Sequence, residues 1–185
     1  MPKSQNSRPV AEPIIDWETY GHLFKELTIP AKTILLYEGD VSKYGYFIKE
    51  GCVRLWFNNK GKDVTFQFFF ENEGVSSIES FRSGEPSLFS IETIEPSVLY
   101  VISKKNFNTI FTENPAYSTY LQDILFKRLS HYSRLFMSYI KNTPEERYRE
   151  LLKSNQQIIR RIPQHYIASY LGITSVSLSR IRNRM

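Results

Sequence analysis

The chain has 185 residues, 41% of them hydrophobic and 15% aromatic, enough to bury a core in one large domain or two small ones, and its apolar stretches are too short and too broken by charge to span a bilayer. A single cysteine, Cys52, excludes an internal disulfide or a multi-cysteine metal centre, and the three histidines lack ligand spacing, so no metal and no cofactor is expected. The net charge of +5 is uneven: residues 141–185 hold nine Lys/Arg against three Glu, a balance of +6, which fits either a polyanion partner such as nucleic acid or a solubilising tail.

Residues 1–13 carry Pro2, Pro9 and Pro13 among polar residues and are expected to form a flexible arm; the lack of a signal-peptide core there points to the cytoplasm and to no membrane partner. From Asp16, the residues Trp17, Tyr20, Leu23, Phe24 and Leu27 recur at helical steps up to Pro30, which predicts a helix. From Thr33 to Ser103 the texture changes to short runs of Phe, Tyr, Ile and Val punctuated by glycines. Strands are expected at 33–37, 46–50, 53–58, 64–70, 90–93 and 98–102, with a hairpin turn over 58–62, as an antiparallel roll or sandwich.

Ser103 is placed to cap a short helix that buries Phe107, Ile110 and Phe111, and Asn114-Pro115 breaks it. From Pro115 to about Ile140 there is no glycine and no internal proline, which predicts one helix of roughly 26 residues, or ~39 Å. Its apolar stripe, from Tyr117 through Leu121, Ile124 and Leu135 to Ile140, is wider than one neighbouring domain covers. Either part of it pairs with a second copy across a two-fold axis, or the helix lies wholly against its own β domain. Thr143-Pro144-Glu145-Glu146 then carries the signature of a capping box, and a domain boundary is expected at residue 142.

The strongest pattern lies at the end of the chain. Counting from Gln164, Ile167, Ala168, Leu171, Gly172, Ile173, Leu178 and Ile181 fall at the offsets of a helix-turn-helix. The small alanine lets two helices touch, glycine allows a positive φ in the turn, and the apolar residues face a shared core. An ordinary helical hairpin shares that core, so the outer face of the second helix must discriminate. There Ser175, Val176, Ser179, Arg180 and Asn183 align without a carboxylate among them. On such a face Arg180 can donate two hydrogen bonds to guanine, Val176 can touch a thymine methyl, and the others reach base edges or phosphates. Arg182 and Arg184, and Arg160-Arg161 upstream, suit phosphate contact or a solvated face equally.

These segments together resemble the Crp/Fnr superfamily of bacterial transcription regulators, that of the cyclic-AMP receptor protein and the fumarate and nitrate reduction regulator. The likeness runs over residues 14–185. It is carried by Leu36-Tyr37-Glu38-Gly39-Asp40, Phe47-Ile48-Lys49-Glu50-Gly51, Phe66-Gln67-Phe68-Phe69-Phe70, and Ile162-Pro163-Gln164 through Ser179-Arg180-Ile181-Arg182, the last resembling a Bacteroidetes-type subgroup. The resemblance implies an α+β chain in four parts: an arm over 1–13, an antiparallel β-roll sensor of the cyclic nucleotide-binding (jelly-roll) type over 14–114, a long dimerisation helix over 115–141, and a helix-turn-helix over 142–185. The sequence stops at Met185, where the family's wing would begin, so little or no wing is expected.

Family members that bind cyclic AMP hold its ribose with a Gly-Glu pair and its phosphate with an Arg followed by a small residue. With Phe81 as anchor, Ser77 stands where that Glu is expected and Ser87 where the Arg is expected, while Glu79 and Arg82 are displaced. Without a cation at the clamp a buried phosphate has no charge-assisted partner, so cyclic AMP is not expected by the usual mode. A different small effector would use Ser76, Ser77, Glu79, Arg82, Ser87, His131 and Tyr132 as its lining, or the pocket is filled by the protein's own side chains. The expected function is a dimeric DNA-binding transcription regulator. The alternative is a ligand-binding or protein-interaction module without sequence-specific DNA binding; an enzyme is not expected, since no nucleophile-and-base pair or paired carboxylates stand at working spacing.

Overall fold

The computed structural model describes residues 15–184, so the arm expected over 1–13 lies outside the described residues. The chain is an α+β fold: eight antiparallel strands form a roll of two four-stranded sheets, and helices complete the C-terminal half. The predicted N-terminal helix is cut short. Asp16 caps α1 (Trp17–Tyr20) by accepting from the backbone N–H groups of Glu18 and Thr19, and a single 3-10 turn follows. Phe24, expected on a helical face, instead opens β1 (Phe24–Ile29), which pairs antiparallel with β8 (Ser97–Ser103) along its whole length. Leu27, Thr28 and Ile29 alternate in burial, and the partner strand supplies backbone hydrogen bonds that outweigh the weak local helical spacing.

The other strands are β2 (Ile34–Leu36), β3 (Tyr44–Glu50), β4 (Val53–Asn59), β5 (Lys62–Phe69), β6 (Gly74–Val75) and β7 (Ser90–Thr93), in the sheet orders β1-β8-β3-β6 and β2-β7-β4-β5. Between β4 and β5 the two loop residues Lys60 and Gly61 both have positive φ (53° and 84°), the conformation of a two-residue hairpin matched to strand twist. Gly51 is required by contact: a Cβ there would stand 2.8 Å from Ser97 Cα. Strand alternation divides the Phe68-Phe69-Phe70 run between two cores. Phe69 joins Ile48, Val53, Leu55, Ile91 and Leu99 between the sheets, whereas Phe68 and Phe70 belong to a second core shared with the C-terminal helices.

Ser103 caps α3 (Lys104–Glu113), accepting from Asn106 N–H at 3.2 Å, and α2 (Ile78–Ser83) lies between β6 and β7. The long helix α4 runs Ala116–Lys141 without one buried residue. The capping box forms as expected at the start of α5 (Pro144–Ser154), with Thr143 and Glu146 bonded reciprocally. Then come α6 (Gln156–Arg161), α7 (Gln164–Tyr170) and α8 (Ser175–Asn183). Tyr148, Leu151, Ile158, Ile167, Leu171 and Leu178 close the second core against Cys52, Phe68, Phe70 and Ile94 of the roll. No helix among the described residues is long and apolar enough to cross a membrane.

Candidate nucleic-acid interface and sensor region

Helices α7 and α8 pack on each other across the turn 171–174, at the positions the offsets mark. Ala168 is 1% exposed at the helix contact, and Gly172 has φ +68° in the turn, where an added Cβ would press on the Tyr139 ring at 3.1 Å. Leu178 anchors α8 in the core at 0% exposure. Thr174 caps α8 through its side-chain oxygen, which accepts from Ser177 N–H at 3.1 Å. With the inner face so fixed, Ser175, Val176, Ser179, Arg180 and Asn183 all stand exposed, and so do Arg182 and Arg184. Val176 is 61% exposed, which no packing role explains. Among the described residues, Arg180, Arg182 and Arg184 form no ion pair. The seven candidate DNA-contacting residues thus all stand exposed on α8 and its C-cap, a segment without a carboxylate.

Helix α7 is docked on the roll by polar contacts as well as by the core. Ser169 Oγ accepts from Thr65 N–H and donates to Asp63 C=O, both at 2.9 Å, seating α7 on the β4–β5 hairpin. Arg54, 2% exposed, donates to Glu92 at 2.7 Å and to Thr65 Oγ1 at 2.9 Å, and its guanidinium lies 4.0 Å from the Tyr166 ring centroid. Arg161, offered from sequence as a phosphate contact, is committed elsewhere: it grips both oxygens of Glu71 at 2.8 and 2.7 Å and also binds Glu95. That bidentate hydrogen bonding holds the Glu71 carboxyl down at about 2. Arg160, by contrast, is exposed and among the described residues hydrogen-bonds only Gln156.

The seven effector-lining candidates do not converge. Ser77 and Ser87 are buried and satisfy each other, with Ser87 Oγ donating to Ser77 Oγ at 2.9 Å, in a roll interior filled by Phe66, Phe89, Leu36 and Tyr46. Ser76 and Arg82 line a separate cavity on the helical side of the roll, and Glu79 is exposed on α2. His131 lies against Gln67 Oε1 at 3.1 Å and Tyr132 packs beside it on α4. Burial pushes the His131 pKa down, with the Arg134 charge adding to it. Sequence reasoning missed Arg128, the one cation within the stripe Tyr117, Leu121, Ile124, Tyr132, Leu135; a lone arginine in an apolar stripe was the available signal. Its guanidinium stacks at 4.9 Å on Phe69 and donates to Gly74 C=O.

The roll's strand order and the position of α2 between β6 and β7 can now be set beside known proteins. Residues 26–114 match the family model of the cyclic nucleotide-binding domain. Solved structures share this domain's fold together with the helices that follow it. FixK2 from Bradyrhizobium japonicum superposes with a TM-score of 0.75 at 16% identity, covering 87% of this chain and 83% of its own. CLP from Xanthomonas campestris, described as a c-di-GMP-responsive global regulator, gives 0.73 at 17% identity, covering 88% and 86%. A CooA variant from Carboxydothermus hydrogenoformans gives 0.70 at 20% identity, covering 88% and 76%. A comparison with curated proteins found no match. The chain therefore shares its fold with these solved structures, and within its roll Ser77 and Ser87 are hydrogen-bonded to each other.

Proposed function

We propose that this chain is a cytoplasmic, non-enzymatic transcription regulator of the Crp/Fnr type, nearest the Bacteroidetes-type subgroup, that binds double-stranded DNA through α8 as a homodimer. The observation that carries it is the open α8 face: five aligned residues without a carboxylate, flanked by Arg182 and Arg184, on a helix anchored at its back by Leu178. A helix so presented fits the major groove, with Arg180 reading guanine and the flanking arginines holding phosphates. Fold agreement with CLP, a global regulator by its description, supports the same reading.

The dimer follows from α4. Phe126, Leu129, Phe136 and Ile140 are 68%, 61%, 65% and 63% exposed, and with Ser133 they fall at alternating three- and four-residue steps. That is the seam of a two-helix coiled coil, left open on a single chain. Pairing along it sets two copies of α8 for half-sites about one DNA turn apart, roughly 34 Å. Because Ser169, Arg54 and Arg161 fasten α7 and α6 to the roll, a shift of the roll against α4 carries α8 with it. Differential binding of an effector to two such arrangements would reset half-site spacing.

A second reading, a ligand-binding or protein-interaction module, draws on the depth at which α7 is embedded in the roll's core. Selection of genomic fragments by the native protein, with and without small-molecule extract, separates the two. The regulator reading expects enrichment of paired half-sites and a change in yield with extract. No enriched fragment at low salt would leave only the interaction module.

A further inference from the structure

Helix α3 and the first half of α4 pack on the outer face of the β1-β8-β3-β6 sheet and leave a cavity of about 170 Å³ between them. Phe47, Phe81, Phe107, Phe111, Tyr120 and Ile124 are among the apolar residues that line it. It borders the roll interior at Tyr46 and Val75 but lies outside it, since Ser77, Ser87 and the inward-facing core residues Ile48, Leu55 and Leu99 are not in its lining. Among the described residues two charged side chains line it, Arg82 and Arg128, and no carboxylate does.

Arg128 is the informative group. Its guanidinium offers five N–H donors, of which the described residues pair one, with Gly74 C=O. It forms no ion pair among the described residues. The nearby Glu73 carboxylate is turned to Phe70 N–H at 2.8 Å. A partly buried cation in an apolar wall is costly unless an anion completes it. Charge complementarity therefore selects the occupant, and size narrows it: ~150 Å³ accommodates a benzene ring, whereas drug-sized ligands take roughly 300 Å³ or more, so a nucleotide does not fit.

We propose that this cavity binds a small apolar monocarboxylate, an aryl or short alkyl acid, whose carboxylate pairs with Arg128 and whose apolar part fills the aromatic pocket. The proposal rests on the regulator reading for its consequence alone: Tyr120, Leu121, Ile124 and Arg128 lie on the same helix that carries the open seam Phe126 and Leu129, so an occupant bears directly on α4.

Titration calorimetry on the full chain tests it, with hexanoate and benzoate as probes and hexanol and benzyl alcohol as neutral counterparts of similar shape. The acids are expected to bind about tenfold more tightly than the alcohols, as one charge-assisted hydrogen-bonded pair provides. Arg128→Gln removes that preference, Arg128→Lys keeps part of it, Ile124→Trp abolishes binding of both kinds, and Ser87→Ala in the roll interior changes nothing. Equal affinity for acid and alcohol, an unchanged preference in Arg128→Gln, or no saturable binding of either acid, as when a second copy or the chain's own residues fill the cavity, would each overturn the proposal. The measurement contains no DNA, so failure of the regulator reading and failure of the ligand site are told apart.

Discussion

The contact between the roll and the terminal helices and the outer face of α4 are built on opposite terms. At the first, the main charged and polar contacts are made inside the chain: Arg54 with Glu92, Arg161 with Glu71 and Glu95, Ser169 with the β4–β5 hairpin, all around one apolar core. At the second, a 26-residue helix buries none of its residues and leaves Phe126, Leu129, Phe136 and Ile140 facing outward. Exposed apolar surface in a continuous row marks an interaction site, whereas a matched ionic contact marks one that is already made. The difference separates a joint that is already made from a face that is still open: the roll and the terminal helices are fastened together, and the α4 row is where the proposed dimer would form.

The sharpest way to break the sealed side is Glu92→Ala. It leaves the Arg54 guanidinium buried without its main counter-charge, and removing one partner of a buried pair costs ~3 kcal/mol or more, roughly 6–12 °C in Tm for a chain of this size. Thermal denaturation followed by circular dichroism checks it, and a loss under 1 °C would mean the pair is not the strut described. On the open side, Leu129→Asp with Phe136→Asp should halve the mass seen in sedimentation while leaving the fold of each copy intact, since neither residue is buried in its own chain.

The clamp should respond less, and with a defined sign. Arg161→Ala removes a partly exposed bidentate pair, with an expected cost of about 1 kcal/mol. Glu71 is held at about 2 against an ordinary 4.5, so its contribution is complete above about 4.5 and is lost as pH falls toward 2. The stability gap between wild type and Arg161→Ala, measured by urea titration, should therefore be full at neutral pH and close on acidification below about 4.5. The smallest effect is expected at Cys52, which is 0% exposed inside the sealed core and whose thiol pKa burial pushes up. Iodoacetamide should leave it unmodified until the chain unfolds.

What the sequence showed and what it hid divide along the range of the interactions. The Thr143 capping box, the Ser103 cap, the uninterrupted α4 and the positive φ of Gly172 are set by neighbours within a turn, and each was legible. Strand β1 was not, because its partners in β8 lie 68 to 78 positions away and its own spacing imitates a helix. Strand β6 has two residues and offers no period to read. The same holds at the site. The α8 face is a local pattern and stands where the offsets put it, but Arg161 reads as a free basic residue until Glu71, 90 positions distant, is brought beside it. Ser77 and Ser87, ten positions apart, are bonded to each other, a pairing that no local pattern announces.

Helix α8 is the surface proposed to meet DNA. Titration of a selected genomic fragment at moderate salt with wild type and with Arg180→Glu tests it most directly, because Arg180 is exposed and its exchange leaves the core untouched. A loss of at least about tenfold in affinity, in keeping with ~1–3 kcal/mol for a guanine contact and a reversed charge beside phosphates, is the expected result. Unchanged affinity in a folded Arg180→Glu protein would contradict it.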